Sequence, residues 1–113
     1  MHEMSIAESV LAIVEETARR EGIRAVRGVR LEIGQLAAVE TRALRFCFES
    51  VVRGSVAEGA RLEIEETPGQ AWCFGCCASV ALASRVDPCP RCGGSQLQVS
   101  GGTGMRVKDL EVV

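Results

Sequence analysis

Residues 72–93 read WCFGCCASVALASRVDPCPRCG, and their cysteine spacing dominates the interpretation of this part of the chain. A C-x-x-C turn brings two thiolates to one side of a tight loop, and two such turns supply the four sulfurs of a tetrahedral zinc site. Residues 77–88 separate the two pairs, and Gly75 and Gly93 suit the bend beneath a bound metal. The spacing therefore predicts a Zn²⁺ site made by Cys73, Cys76, Cys89 and Cys92.

The predicted site has four thiolates, which close the coordination sphere and leave no open position for a catalytic water. Metal bound in this way contributes folding energy, so we expect a structural zinc rather than a zinc hydrolase. A redox C-x-x-C pair and a disulfide knot are disfavoured, because the two pairs form a matched set. An iron–sulfur cluster on the same four ligands remains an alternative that the spacing leaves open.

Two cysteines lie outside this pattern. Cys77 could replace Cys76 as a ligand with a longer loop, although the two-residue spacing is favoured. Cys47 falls on or near the apolar face of a predicted helix, where a free cysteine packs as a small core residue.

The flanking sequence predicts an α+β fold, a small mixed sheet with two helices and an inserted zinc-ribbon-like part. Hydrophobic residues recur at helical spacing in residues 5–21 and 40–53, whereas residues 23–34 and 60–67 alternate as strands do. Pro68-Gly69 is a turn signal that indicates a boundary. Residues 70–96 contain few large aliphatic side chains, so we expect them to fold around metal without a core of their own. Two short strands follow, at 96–100 and 105–112, and the last could return to the first sheet.

The first helix is predicted from Ile6, Val10, Ile13 and Val14, which form its apolar face. Ser5 with Glu8 would form a capping box at its start. Gly22 suits its end.

Composition disfavours several classes of protein. The chain has 113 residues, a net charge of −2 and only 4% aromatic residues, a balance that disfavours a generic nucleic-acid binder. No apolar run approaches the roughly 20 residues of a membrane span. The first residues are too acidic for a secretory signal, so we expect a soluble cytoplasmic protein whose clustered cysteines are metal ligands rather than disulfides.

The amino terminus reads MHEMS and contains the single histidine of the chain, His2. The Met1 amine, the His2 amide nitrogen and the imidazole can close fused chelate rings on one metal, and Glu3 could add its amide or carboxylate. Planar nitrogen ligation suits Ni(II) or Cu(II) better than Zn(II). The competing interpretation is an ordinary solvated histidine near a chain end.

Taken together, these segments resemble the HypA/HybF family of nickel metallochaperones in [NiFe]-hydrogenase maturation. The resemblance covers nearly the whole chain and rests on MHEMSIAESV, VRLEIGQLAAVETRALRFCFESV, GARLEIEETPGQAWC, CPRCGG and MRVKDLEVV, in that order. It implies a nickel-binding α/β domain formed by residues 1–68 and 105–113, and a zinc-binding domain at 69–104. It also implies nickel uptake at His2, with Met1, Glu3 and the position of Glu40 contributing.

The family resemblance further implies a non-enzymatic role. Nickel would pass to the hydrogenase large-subunit precursor with the help of a HypB-like maturation GTPase, and the chain would be a monomer or homodimer. Two features depart from the family pattern: Cys77 is an additional thiol, and no histidine flanks the cysteine pairs, which puts a urease role in doubt. The rival interpretation is a zinc-ribbon interaction module that binds nucleic acid or another protein.

Overall fold

The structure is a computed structural model, and it describes residues 2–113. Along the chain, the elements are α1 (His2–Glu21), β1 (Val26–Gly34), a 3-10 turn (Gln35–Ala37), α2 (Thr41–Val51), β2 (Arg61–Thr67), β3 (Gly69–Cys73), β4 (Ala78–Leu82), β5 (Leu97–Gly101) and β6 (Met105–Val112). The α+β class predicted from the sequence is confirmed. The two strands β3 and β4 inside the cysteine-rich segment were not expected.

Helix α1 ends as its sequence predicts but begins earlier. Gly22 has φ +70°, and the Ile23 N–H donates to the Ala18 carbonyl at 2.9 Å, which satisfies an orphan carbonyl at the end of the helix. The helix already includes His2, so Ser5 and Glu8 are exposed residues within it and the predicted capping box is wrong.

The buried side of α1 is also rotated from the predicted face. Val10 and Val14 are fully buried as expected, whereas Ile13 is 45% exposed. The buried stripe consists of Glu3, Ala7, Val10, Val14 and Ala18, spaced by three or four residues. Glu3 is thus a carboxylate at the end of an otherwise apolar stripe.

The first sheet has the order β2-β1-β6, and it confirms the expected return of the last strand. Hydrogen bonds join Gly34 to Gly104 and Val113 to Ala25, so β6 runs antiparallel to β1. The connection from β1 to its neighbour β2 contains helix α2. The inner face of β1 is made by Val29, Leu31 and Ile33, all buried.

Helix α2 packs against helix α1. Leu44, Cys47 and Phe48 are buried, which confirms Cys47 as a core residue. Val51 is only half-buried, and Val52, which follows the helix, is 2% exposed.

The second sheet has the order β4-β3-β5, with both pairings antiparallel. Its inner residues form a small core of their own, so the expectation that this segment has none is wrong. Leu36, contributed by the 3-10 turn, packs with Ala71, Val80 and Leu82 and with buried cysteines. Sequence reasoning missed this core because the contributing apolar residues are small or come from before the segment.

The chain divides into two compact units. The first comprises Met1–Leu31, Val39–Glu65 and Arg106–Val113, and the second comprises Glu32–Ala38 and Glu66–Met105. Assignment of nickel to residues 1–68 with 105–113, and of zinc to 69–104, stays a prediction.

Candidate metal sites

The four predicted zinc ligands converge in the second unit. Cys73 ends β3, Cys76 lies in the turn before β4, and the other pair lies in the loop before β5. All four sulfurs lie within 4.8 Å of one another. The Sγ–Sγ distance is 3.6 Å between Cys73 and Cys92 and 3.9 Å between Cys76 and Cys89. Sulfurs about 2.3 Å from a tetrahedral zinc would be about 3.8 Å apart, so the donor set fits this metal.

Backbone amides support three of these sulfurs. The Cys76 N–H donates to Cys73 Sγ, the Arg91 N–H to Cys89 Sγ and the Gly94 N–H to Cys92 Sγ, each at 3.4 Å. Hydrogen bonds from amides favour the thiolate form and hold each sulfur in place. The loops therefore orient their sulfurs toward one common point.

The two loops share a left-handed residue directly after their second cysteine. Gly93 has φ +73°, and Cys77 at the equivalent place has φ +51°. Cys77 is exposed, its thiol donates to the Phe74 carbonyl at 3.6 Å, and it is not part of the four-sulfur group. Gly75, expected at the bend, has no left-handed φ. A Cβ there would lie 3.6 Å from Cys92 Sγ, in ordinary van der Waals contact.

Two thiols of the cluster have pKa values that are shifted in opposite directions. The pKa of Cys76 is raised to about 12, first by hydrogen bonding with the Cys92 thiol. The pKa of Cys89 is lowered to about 6, first by the Cys92 backbone N–H. A bound cation would displace the protons of these thiols, because metal ligation requires the thiolate form.

The amino-terminal candidates lie in the first unit. His2 is exposed in the first turn of α1, and its Nε2 lies 3.6 Å from Glu3 Oε2. The Met1 amine, also predicted as a ligand, lies outside the described residues. Amides in the first turn of a helix lack intrahelical acceptors and can serve other groups. The backbone N–H of Glu3 is one of the groups that lower the pKa of its own carboxyl.

Glu3 connects this terminus to the start of α2. Its side chain is buried, and Oε2 accepts the Glu40 N–H at 3.1 Å. That amide is the leading reason why the pKa of the Glu3 carboxyl lies below its usual value. Sequence reasoning treated Glu3 only as a ligand, although its place four residues before Ala7 on the buried stripe was a signal for burial.

The backbone of Glu40 lies beside Glu3, because the Glu40 N–H donates to the Glu3 carboxylate. The Glu40 carboxylate caps the amino-terminal end of α2, since its Oε1 accepts the Arg42 backbone N–H at 3.0 Å. Among residues 2–113, the only group of three or more metal-ligating side chains is the four-cysteine cluster. His2, Glu3 and Glu40 therefore do not form a ready-made side-chain cage.

No helix among the described residues is long and apolar enough to cross a membrane.

Comparison with known proteins fits this arrangement. The family model "Hydrogenase/urease nickel incorporation, metallochaperone, hypA" matches residues 1–112. The hydrogenase maturation factor HypA of Azotobacter chroococcum is 61% identical over 112 residues, which is 99% of each chain. The HypA of Azotobacter vinelandii is 60% identical over the same share of both chains.

Solved structures agree on the fold. The solution structure of the Ni metallochaperone HypA from Helicobacter pylori has a TM-score of 0.69 and 23% identity, covering 100% of this chain and 98% of that one. A second solution structure of a HypA protein has a TM-score of 0.71 and 25% identity, covering 100% and 97%.

Fold, cysteine cluster and comparisons together define a protein of the metallochaperone class, in which a small α+β unit accompanies a unit with a four-cysteine cluster. Within that class, the chain belongs to the HypA family of nickel-incorporation proteins for hydrogenase maturation.

Proposed function

We propose that this chain binds Ni²⁺ at its amino terminus and delivers it to the [NiFe]-hydrogenase large-subunit precursor. The His2 imidazole is the principal ligand, joined by the Met1 amine and by nitrogen or oxygen atoms of Glu3. The observation that carries the proposal is an exposed histidine beside a buried carboxylate that is itself held by the Glu40 N–H. Glu40 contributes through its backbone, or through its carboxylate after release from Arg42.

The exposed terminal site suits a carrier. Each nitrogen ligand competes with protons, so nickel affinity falls as pH drops through the pKa values of imidazole and amine. A receiving protein can approach an exposed site and offer replacement ligands. A HypB-like GTPase is the proposed helper, and the carrier works as a monomer or homodimer without catalysing a reaction.

The cysteine cluster has a separate role in this proposal. Zn²⁺ held by Cys73, Cys76, Cys89 and Cys92 stabilises the second unit and leaves no position for substrate. Cysteine thiolates persist in a reducing compartment, which supports a cytoplasmic location.

Nickel titration of the tag-free protein tests the proposal. We expect one Ni²⁺ per chain, and loss of that binding in His2→Ala and in a variant with residues added before Met1, while zinc content is unchanged. The added residues remove the primary amine from its place beside His2 without altering any side chain. Normal nickel binding by both variants would show that the terminal site is wrong.

A further inference from the structure

The outer side of α2 combines positive charge with an exposed aromatic ring. We define the α2 surface as Arg42, Arg45, Phe46, Glu49 and Arg53, which lie on the helix and on the turn after it. All five are exposed, on the side opposite to buried Leu44 and Cys47. Their spacing places them along one stripe of the helix.

Phe46 is the most unusual member of this surface. It is 73% exposed, more than Trp72 at 39% or Phe74 at 53%. An open groove is bordered by Arg45 and Glu49 of this surface, and its floor is made by Phe48, Val52 and Leu62, all at most 7% exposed. An exposed aromatic ring is the kind of anchor found at the centre of protein interfaces.

Within residues 2–113, the arginines of this surface form no ion pair with a carboxylate. Elsewhere in the same unit, Arg19, Arg30 and Arg61 each form ion pairs with glutamates. No ion pair of Arg42 or Arg53 is found among residues 2–113, and Arg45 donates to the Leu62 carbonyl rather than to an acid. The surface therefore has positive charge available for an external anion.

We propose that the α2 surface docks an acidic segment with an apolar anchor on the protein that accepts nickel. This inference rests on the proposed function. An acceptor of Ni²⁺ presents anionic donors, and Arg42 lies two residues after Glu40, whose N–H holds Glu3 beside His2. Carboxylates on the acceptor pair with Arg42 and Arg53, and an apolar side chain packs against the exposed ring of Phe46. Such pairing speeds and orients the encounter.

The test measures binding of the purified hydrogenase large-subunit precursor to the zinc-loaded chain by calorimetry at low and high salt. We expect Phe46→Ala to weaken binding roughly thirtyfold, as for a hot-spot aromatic. Arg42→Gln with Arg53→Gln should weaken binding and remove most of its salt dependence. Arg24→Gln with Arg27→Gln is the matched control, because it removes the same charge elsewhere on the first unit and should leave binding unchanged.

Several results would overturn the inference. These are unchanged binding by the α2 variants, an equal loss in the charge-matched control, and no binding by the wild-type chain. The surface would belong to another occupant if these substitutions weakened only self-association, only nucleic-acid binding or only GTPase binding. Nickel titration of the same variants separates the two proposals: the α2 variants should bind nickel normally, whereas failure of wild-type nickel binding would count against the proposed function itself.

Discussion

Replacing Cys77 with glycine should strengthen zinc binding, although it removes a thiol beside the site. Cys77 has φ +51°, a conformation that costs an L-residue roughly 1–2 kcal/mol. Glycine avoids this cost but loses about 0.5–1 kcal/mol more conformational entropy on folding. The difference is a gain of about 0.5–1 kcal/mol, or roughly a two- to fivefold tighter zinc site, because metal binding and folding of the loop are coupled.

Gly93 offers the reverse experiment in the second loop. It has φ +73°, and a Cβ there would meet nothing within 4 Å, so Gly93→Ala carries a conformational cost without a clash. We expect a loss of about the same size, roughly two- to fivefold in zinc affinity. Gly104→Ala is the control, since its added Cβ also meets nothing and Gly104 has no left-handed φ.

Competition with a chromogenic zinc chelator measures these affinities directly. Weaker zinc binding by Cys77→Gly would refute the reasoning, because it would indicate that the Cys77 thiol is a ligand. Equal affinities for Gly93→Ala and the wild-type chain would also contradict it, since the left-handed conformation would then carry no cost.

Three further predictions concern stability and pH. Leu44→Ala should lower the free energy of unfolding of the first unit by about 2–5 kcal/mol in denaturant unfolding, because Leu44 is fully buried. Phe46→Ala should change the free energy of unfolding by less than about 0.5 kcal/mol, because Phe46 is exposed. Equal effects of the two substitutions would contradict the packing. In NMR titration, the Glu3 carboxyl should have a pKa below its ordinary value. Its contribution to stability should therefore be fully present at pH values above the ordinary pKa and should be lost as the pH falls through the folded pKa. An upward shift of the pKa would be inconsistent with the Glu40 hydrogen bond. Chelation of zinc should collapse the amide dispersion of β3, β4 and β5, and a chelated protein that keeps those signals would contradict a structural metal.

The cysteine cluster was predictable because its signal is local. Two C-x-x-C pairs specify their own loops, and Gly93 marks the left-handed turn. Cys77 was harder to interpret, because the same turn in the first loop is made by a residue whose thiol suggests ligation.

The start of α1 and its buried face were predicted less well. The apolar pattern of Ile6, Val10 and Ile13 ignores tertiary packing, and the buried stripe follows Ala7, Val10 and Val14 instead. Alanine is only weakly hydrophobic, so Ala7 and Ala18 did not mark the buried face. Burial of Glu3 depends on a partner far along the chain, the backbone amide of Glu40. Such long-range satisfaction of a buried carboxylate cannot be read from periodicity. The core of the second unit was missed for the same reason, since Leu36 reaches it from outside the segment.

The central claim is that two metals occupy two chemically different sites. X-ray absorption at the nickel and zinc edges, on protein loaded with one equivalent of each metal, tests it most directly. We expect zinc with four sulfur neighbours at about 2.3 Å, and nickel surrounded by nitrogen and oxygen only. Nickel with sulfur neighbours, or zinc without four of them, would contradict the account.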